Sequence, residues 1–305
     1  MKAISKAAFL LVICQCQSEP LVELKSTLPI IEFPQVPQTI IPEEPAEVLL
    51  YEFFTKFKTD HKHEGRANNI QILTNKLHDT TLQPGEEFSF NQVVGPRTLE
   101  NGFKSAPIYY LGEVLPGVGG GTCQVSSTMY AAILHASLEV IDRRPHSRMS
   151  NYIPAGLDAA VSYPKECWDI KRPDKRICYD LKFKNSYDFP IIFKFKINSE
   201  PGNPEEGILT FSIFGTGEIP KVTTRWKVYS SDPFKTRYRR IHYWKNSRKK
   251  LKQSGRLGVR GARVITTEFK NGSKSTKKVI SKYNPVVEVY EIGMEFEEPD
   301  TEEIN

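Results

Sequence analysis

Long apolar runs are scarce in this chain of 305 residues, and nothing in it approaches the roughly 20 consecutive apolar residues that a membrane-spanning helix needs. Hydrophobic residues make up 39% of the chain, below the usual soluble fraction, which predicts a modest core joined by polar connectors. Cysteine is also sparse, at five, and none of the five falls into a zinc-binding spacing. His61-Lys62-His63-Glu64 has no cysteine pair near it and reads as a solvent-facing segment, so no metal and no cofactor is expected. Acidic residues nearly vanish from Lys221 to Asn284, where 20 Lys or Arg stand against two Asp or Glu.

The N-terminus offers a basic start, Met1-Lys2-Ala3-Ile4-Ser5-Lys6, a short apolar run from Ala7 to Ile13, and then Cys14-Gln15-Cys16. That pattern predicts an export leader over residues 1–18. Cysteine directly after the run suggests lipoprotein processing, although neither Cys14 nor Cys16 follows the small residues such a site uses. Attachment to the membrane through an N-terminal lipid and a plain leader both stay open. Residues 19–47 carry Pro20, Pro29, Pro34, Pro37, Pro42 and Pro45 without helical or strand period, the composition of an extended tether. Export decides how the basic stretch reads. In a cytoplasmic chain its lysines, arginines and interleaved Trp226, Tyr229, Tyr238, Tyr243 and Trp244 would suggest nucleic acid. Outside the cytoplasm, anionic wall polymers or phospholipid heads are the expected partners, with no nucleic acid, and a merely solvated charged face is the alternative.

The most informative stretch runs from Pro116 to Tyr130. Gly119, Gly120 and Gly121 free the backbone for positive φ and for close approach to a ligand or another chain segment. After them Val125, Met129, Ala132, Ile133 and Ala136 recur at three- and four-residue steps, which predicts a helix from Cys123 to about Leu138 with one buried face. Cys123 then lies in the first turn, where free N–H groups and the helix dipole favour the reactive thiolate. A small buried cysteine filling space is the alternative reading.

Gly119-Gly120-Gly121-Thr122-Cys123-Gln124-Val125-Ser126-Ser127-Thr128-Met129-Tyr130 resembles the signature of the VanW family. The resemblance extends upstream through Arg66-Ala67-Asn68-Asn69-Ile70, Pro84-Gly85-Glu86-Glu87-Phe88-Ser89-Phe90-Asn91 and Val94-Gly95-Pro96-Arg97. Downstream it takes in Arg144-Pro145-His146-Ser147, Tyr152 to Asp158 and Asp180 to Asn185, so that it covers residues 50 to 195, about half the chain. Met129 stands where leucine is usual and Ala160 where threonine is usual, and neither touches the chemistry. The family occurs in bacterial cell envelopes, and some members are understood as L,D-transpeptidases whose cysteine forms 3-3 cross-links between peptidoglycan stem peptides. The resemblance therefore implies an acyl-transfer enzyme acting on the cell wall.

A cysteine nucleophile needs a group to hold or take its proton, and His146, in the matched segment, is the candidate base. Asp158 is the candidate orienting carboxylate, or else a turn cap after Gly156. Oxyanion and substrate contacts are expected from Gly119, Gly120, Gly121, Gln124 and Ser126. Arg66 and Arg97 suit a stem-peptide carboxylate by their forked donors, with surface ion pairing as the alternative.

The predicted fold class is α+β. A VanW-like catalytic domain over residues 48–215 holds a cysteine-bearing helix packed on an antiparallel sheet, and a basic all-β module over residues 220–293, resembling G5 modules, precedes an acidic tail from 294 to 305. Strands are expected at 48–54, 139–144, 179–183, 190–197 and 208–214, a helix at 68–78, and hairpins at 106–115 and around Asn271-Gly272. Residues 166–178 read as an inserted hairpin whose ends bring Cys167 and Cys178 within disulfide reach, leaving Cys123 as the single free thiol of the folded part; three reduced cysteines are the alternative. Together these features point to an exported envelope enzyme that transfers acyl groups through Cys123. A non-catalytic wall-binding protein relying on its basic module is the competing reading.

Overall fold

A computed structural model of the protein describes residues 46–110, 113–163 and 178–297. The leader, the tether up to residue 45, the predicted Cys167–Cys178 pairing and the end of the acidic tail lie outside these residues. The described residues belong to one compact unit that begins at Pro45.

In chain order the elements are β1 (Val48–Lys58), α1 (Glu64–Leu77), β2 (Thr81–Leu82), β3 (Glu87–Ser89), α2 (Phe90–Val94), β4 (Ser105–Tyr110), β5 (Glu113–Val118), α3 (Thr122–His135), β6 (Glu139–Asp142), β7 (Lys182–Lys184), β8 (Ile191–Glu200) and β9 (Asn203–Gly215). The basic half continues with β10 (Lys221–Asp232), β11 (Thr236–Arg240), β12 (Lys249–Gln253), β13 (Gly258–Glu268), β14 (Lys274–Tyr283) and β15 (Glu288–Ile292). Nearly all pairings are antiparallel, and the fold is α+β.

The core lies between α3 and the antiparallel sheet β1-β9-β8-β2. Strand alternation builds that face: Ile191, Phe193 and Phe195 of β8 and Leu209, Phe211 and Ile213 of β9 are all buried. Phe193 meets Phe211 edge-on with ring centroids 5.3 Å apart, and each such side chain contributes about 1.5–3 kcal/mol on burial. Helix α3 is buried on nearly every side, from Gln124 to Leu134, which explains why it carries small and apolar residues all round rather than one narrow stripe.

Several boundaries differ from the sequence reading, among them α3, which ends at His135 rather than near Leu138, and β9, which runs from Asn203 rather than 208; two differ for visible reasons. Helix α1 starts at Glu64, four residues before the expected Asn68, because a 3-10 turn capped by the Asp60 carboxylate runs straight into it. Glycine is required at position 65 because a Cβ there would lie 2.3 Å from the Ser105 carbonyl oxygen of β4. The strand expected at 179–183 shrinks to β7, since Asp180 leaves the sheet to cap α2. Its carboxylate accepts from the Asn91 N–H at 3.0 Å and the Ser89 hydroxyl at 2.6 Å.

In the basic half, β10-β13-β14 form one sheet and β11-β15-β12 another, with β11 parallel to β15. The Asn271-Gly272 turn joins β13 to β14 as predicted: Gly272 has φ 78°, and Phe269 N–H donates to the Ser273 carbonyl at 2.9 Å. Strands β10 to β12 carry no comparable turn signal and were not individually expected.

Candidate active site

The glycine loop is held by the protein on all sides. Gly119 and Gly121 have φ of 85° and 110°, a region costly for any residue with a Cβ. A Cβ on Gly120 would lie 2.8 Å from that of Ala106 in β4. The loop is pinned by Asn69 of α1, which donates to the Gly120 and Lys104 carbonyls at 2.9 Å each and accepts from Lys104 N–H at 2.7 Å. All three glycines are buried. Their freedom therefore serves close packing of β4 and α1 against the loop, which fixes where α3 begins.

Cys123 follows in the first turn of α3, partly exposed, with its thiol donating to the Val161 carbonyl at 3.5 Å. Among the described residues, backbone carbonyls of Gly119 and Gly121 take the Thr122 and Gln124 N–H groups, while none takes that of Cys123. The helix start thus offers the Cys123 amide as a donor beside its own sulfur. Ser126, expected to face substrate, is fully buried and donates to the Ala159 carbonyl at 2.7 Å. Ser127 accepts from the Ala159 N–H at 3.0 Å. These two hydroxyls fasten α3 to the segment that carries Asp158 on one side and Val161 on the other.

Asp158 is 2% exposed and accepts four hydrogen bonds. Oδ2 takes the His146 backbone N–H and ring Nδ1, both at 2.7 Å; Oδ1 takes Arg143 Nη2 at 2.8 Å and the Tyr283 hydroxyl at 2.5 Å. With Asp158 ionised, Nδ1 carries the proton and Nε2 is left to face the thiol, with the Tyr152 hydroxyl 3.4 Å from it. The structure therefore brings Cys123, His146 and Asp158 together in the order thiol, imidazole, carboxylate.

The charges follow from that packing. Burial disfavours an ionised Asp158, but hydrogen bonds from His146 and the Arg143 charge outweigh it and hold the carboxyl at about 2. Burial likewise opposes a charged His146, and the interactions with Tyr152, Asp158 and Cys123 prevail, raising it well above the ordinary imidazole value. For Cys123 burial favours the thiol; the hydrogen bond and charge of His146, with help from the Arg97 charge, reverse this and lower its pKa. Both shifts favour a thiolate–imidazolium pair. Alkylation of Cys123 as a function of pH is accordingly expected to rise with a midpoint below the ordinary thiol value of about 8.5. A midpoint at or above that value would contradict the assignment.

The remaining predicted residues fall into two groups. Arg66 donates to the Gln124 side chain at 2.6 Å and lies 5.7 Å over the Tyr152 ring, while Gln124 is tied to Thr55 and to the Lys56 carbonyl at 2.9 Å each. Both border a cavity of ≈ 670 Å³, which Lys56, Lys58, His63 and Tyr152 also line. Arg97 is buried, donates to Asn91 at 2.8 Å and stacks over Phe90 and Tyr163. Sequence reasoning missed Asn69, Arg143, Tyr152 and Tyr283. The first three sit in or beside the motif segments and were within reach of it; Tyr283 lies 125 positions from Asp158 and has no local signal.

Residues 65–202 match the family model described as VanW like protein. Over these residues the chain is similar to that family. Over 173 residues it is 37% identical to the uncharacterized protein YoaR of Bacillus subtilis (strain 168), covering 54% of this chain and 52% of that protein. It is 28% identical over 144 residues to the vancomycin B-type resistance protein VanW of Enterococcus faecalis, covering 46% and 47% respectively. The chain thus spans about half the length of the curated relatives it matches. Among solved structures, the IgA1 protease G5 domain aligns with 25% of this chain and 92% of that domain at 20% identity and a TM-score of 0.17. Cys123, His146 and Asp158 all fall inside the VanW-like domain, whereas Tyr283 lies outside it.

Proposed function

We propose that this protein is a cysteine-dependent acyl-transfer enzyme of the cell envelope that acts on peptidoglycan stem peptides. The observation that supports it most is the Cys123–His146–Asp158 arrangement at the start of α3, and similarity to a vancomycin B-type resistance protein supports a cell-wall-related role. In the first half-reaction the Cys123 thiolate attacks the carbonyl carbon of a stem-peptide bond. The Cys123 N–H stabilises the resulting oxyanion, His146 gives its Nε2 proton to the leaving amine, and the C–N bond breaks to leave a thioester. In the second, the amine of another stem peptide attacks that thioester, His146 takes the amine proton, and the C–S bond breaks. Asp158 keeps the imidazole in the required tautomer throughout.

The cavity bordered by Lys56, Lys58, Arg66 and Tyr152 would suit a carboxylate-bearing peptide; neither Cys123 nor His146 lines it, and its link to them is the Tyr152 hydroxyl 3.4 Å from His146 Nε2. Exposed Lys and Arg side chains on β10, β12 and β14 would hold the protein to an anionic wall polymer. Among the described residues no helix is long and apolar enough to cross a membrane; the export leader and N-terminal lipid belong to the proposal.

The test is mass spectrometry of products after incubation with tetrapeptide-bearing peptidoglycan fragments. A 3-3 linked dimer that depends on Cys123 is the expected result. Shortened monomer alone would replace transfer by hydrolysis, and no Cys123-dependent product would overturn the substrate class.

A further inference from the structure

The VanW-like domain does not complete the surroundings of Asp158 by itself. Strand β14 of the basic half runs past it with Lys282 outward and Ser281 and Tyr283 inward, both 1% exposed. The Tyr283 hydroxyl donates to Asp158 Oδ1 at 2.5 Å and accepts the Gly156 N–H at 2.7 Å. One phenol oxygen thus grips both the carboxylate and the backbone two residues before it. Ser281 accepts from Arg143 Nη1 at 2.8 Å, the same guanidinium that holds Oδ1. A residue after the strand continues the seam, with Asn284 N–H donating to the Ser147 carbonyl at 2.6 Å, next to His146.

We propose that Tyr283 is a positioning residue for the cysteine reaction: the basic β half acts through it on Asp158 and hence on the orientation of His146. This rests on the acyl-transfer reading of the same site. Oδ2 binds both His146 N–H groups, so its placement depends on what clamps Oδ1, and Oδ1 has two donors. Removing one leaves Arg143 alone to fix the carboxylate. Other ionisable groups facing the pair are Cys123 and Tyr130 on α3, Tyr152, and Arg263 on β13, whose guanidinium also reaches the Ala155 carbonyl. None of them replaces the phenol bond to Oδ1.

The experiment compares wild type, Tyr283→Phe, Ser281→Ala and His146→Ala in the full chain, with Tyr243→Phe, 80% exposed, as a control. Alkylation of Cys123 is followed against pH, and thioester formation is followed against peptide concentration. Tyr283→Phe is expected to narrow the reactive pH window from both sides and to lower the maximal acylation rate about tenfold at unchanged half-saturation, while Tyr243→Phe matches wild type. Ser281→Ala is expected to narrow the window in the same sense but less, and it decides the matter should Tyr283→Phe not fold. Folded Tyr283→Phe with a wild-type profile, or a wild-type profile for Ser281→Ala where Tyr283→Phe is unfolded, overturns the inference. Equal profiles for wild type and His146→Ala would instead overturn the acyl-transfer reading beneath it.

Discussion

His146→Ala is expected to slow acylation of Cys123 by about 10²–10⁴-fold while leaving a folded protein. The sulfur sits in a buried setting that by itself favours the neutral thiol, and the imidazole supplies the hydrogen bond and charge that reverse the balance. Without it the thiol returns to an ordinary or raised pKa, and no group remains to protonate the leaving amine. Asp158 keeps Arg143, Tyr283 and the backbone N–H of residue 146, so the surrounding structure survives. Stopped-flow alkylation and thioester formation measure the effect. Equal alkylation at every pH for wild type and His146→Ala would remove the histidine from the mechanism.

Asp158→Ala is expected to damage the fold as well as the chemistry. Its partner Arg143 is 4% exposed at the side chain, lies 5.0 Å over the Tyr130 ring, and otherwise donates to the residue-158 backbone carbonyl and the Ser281 hydroxyl, both neutral. Leaving that buried cation without its counter-charge costs about 3–5 kcal/mol, the range for a buried pair broken on one side, or on the order of 10 °C in Tm for a domain of this size. The pH dependence has a definite sign. With its carboxyl held at about 2 against an ordinary 3.8, Asp158 stabilises the fold above about pH 4 and loses that contribution as pH falls towards 2. The variant should therefore lose both overall stability and that acid-sensitive component. A Tm within 2 °C of wild type at neutral pH, read by calorimetry and about one kcal/mol at most, would contradict the network as described.

Local pattern made part of this site legible. The three- and four-residue spacing from Val125 to Ala136 marked α3, and the alternation after Ala106 marked the β4–β5 hairpin that leads into the glycine loop. Cys123, His146 and Asp158 were reachable because each sits in a short motif with its own character. The purpose of the glycines was not reachable: their crowding against Ala106, Arg97 and Arg66 depends on segments 14 to 55 residues away. Ser126 shows the same difficulty in reverse, since a hydroxyl beside a reactive cysteine looks like a substrate contact until the Ala159 carbonyl is seen to occupy it. Tyr283 is the extreme case. Nothing in Ser281-Lys282-Tyr283 distinguishes it from any alternating strand, and only the packing of β14 against the 155–158 turn gives its hydroxyl a role.

The central claim is that Cys123 forms the covalent intermediate, and intact mass spectrometry of acid-quenched protein after incubation with a peptidoglycan tetrapeptide fragment tests it most directly. The account predicts a mass gain equal to the transferred acyl group, mapped to the peptide containing Cys123, released by hydroxylamine and absent from Cys123→Ala. No adduct on the wild-type protein, or one that persists in Cys123→Ala, would contradict it.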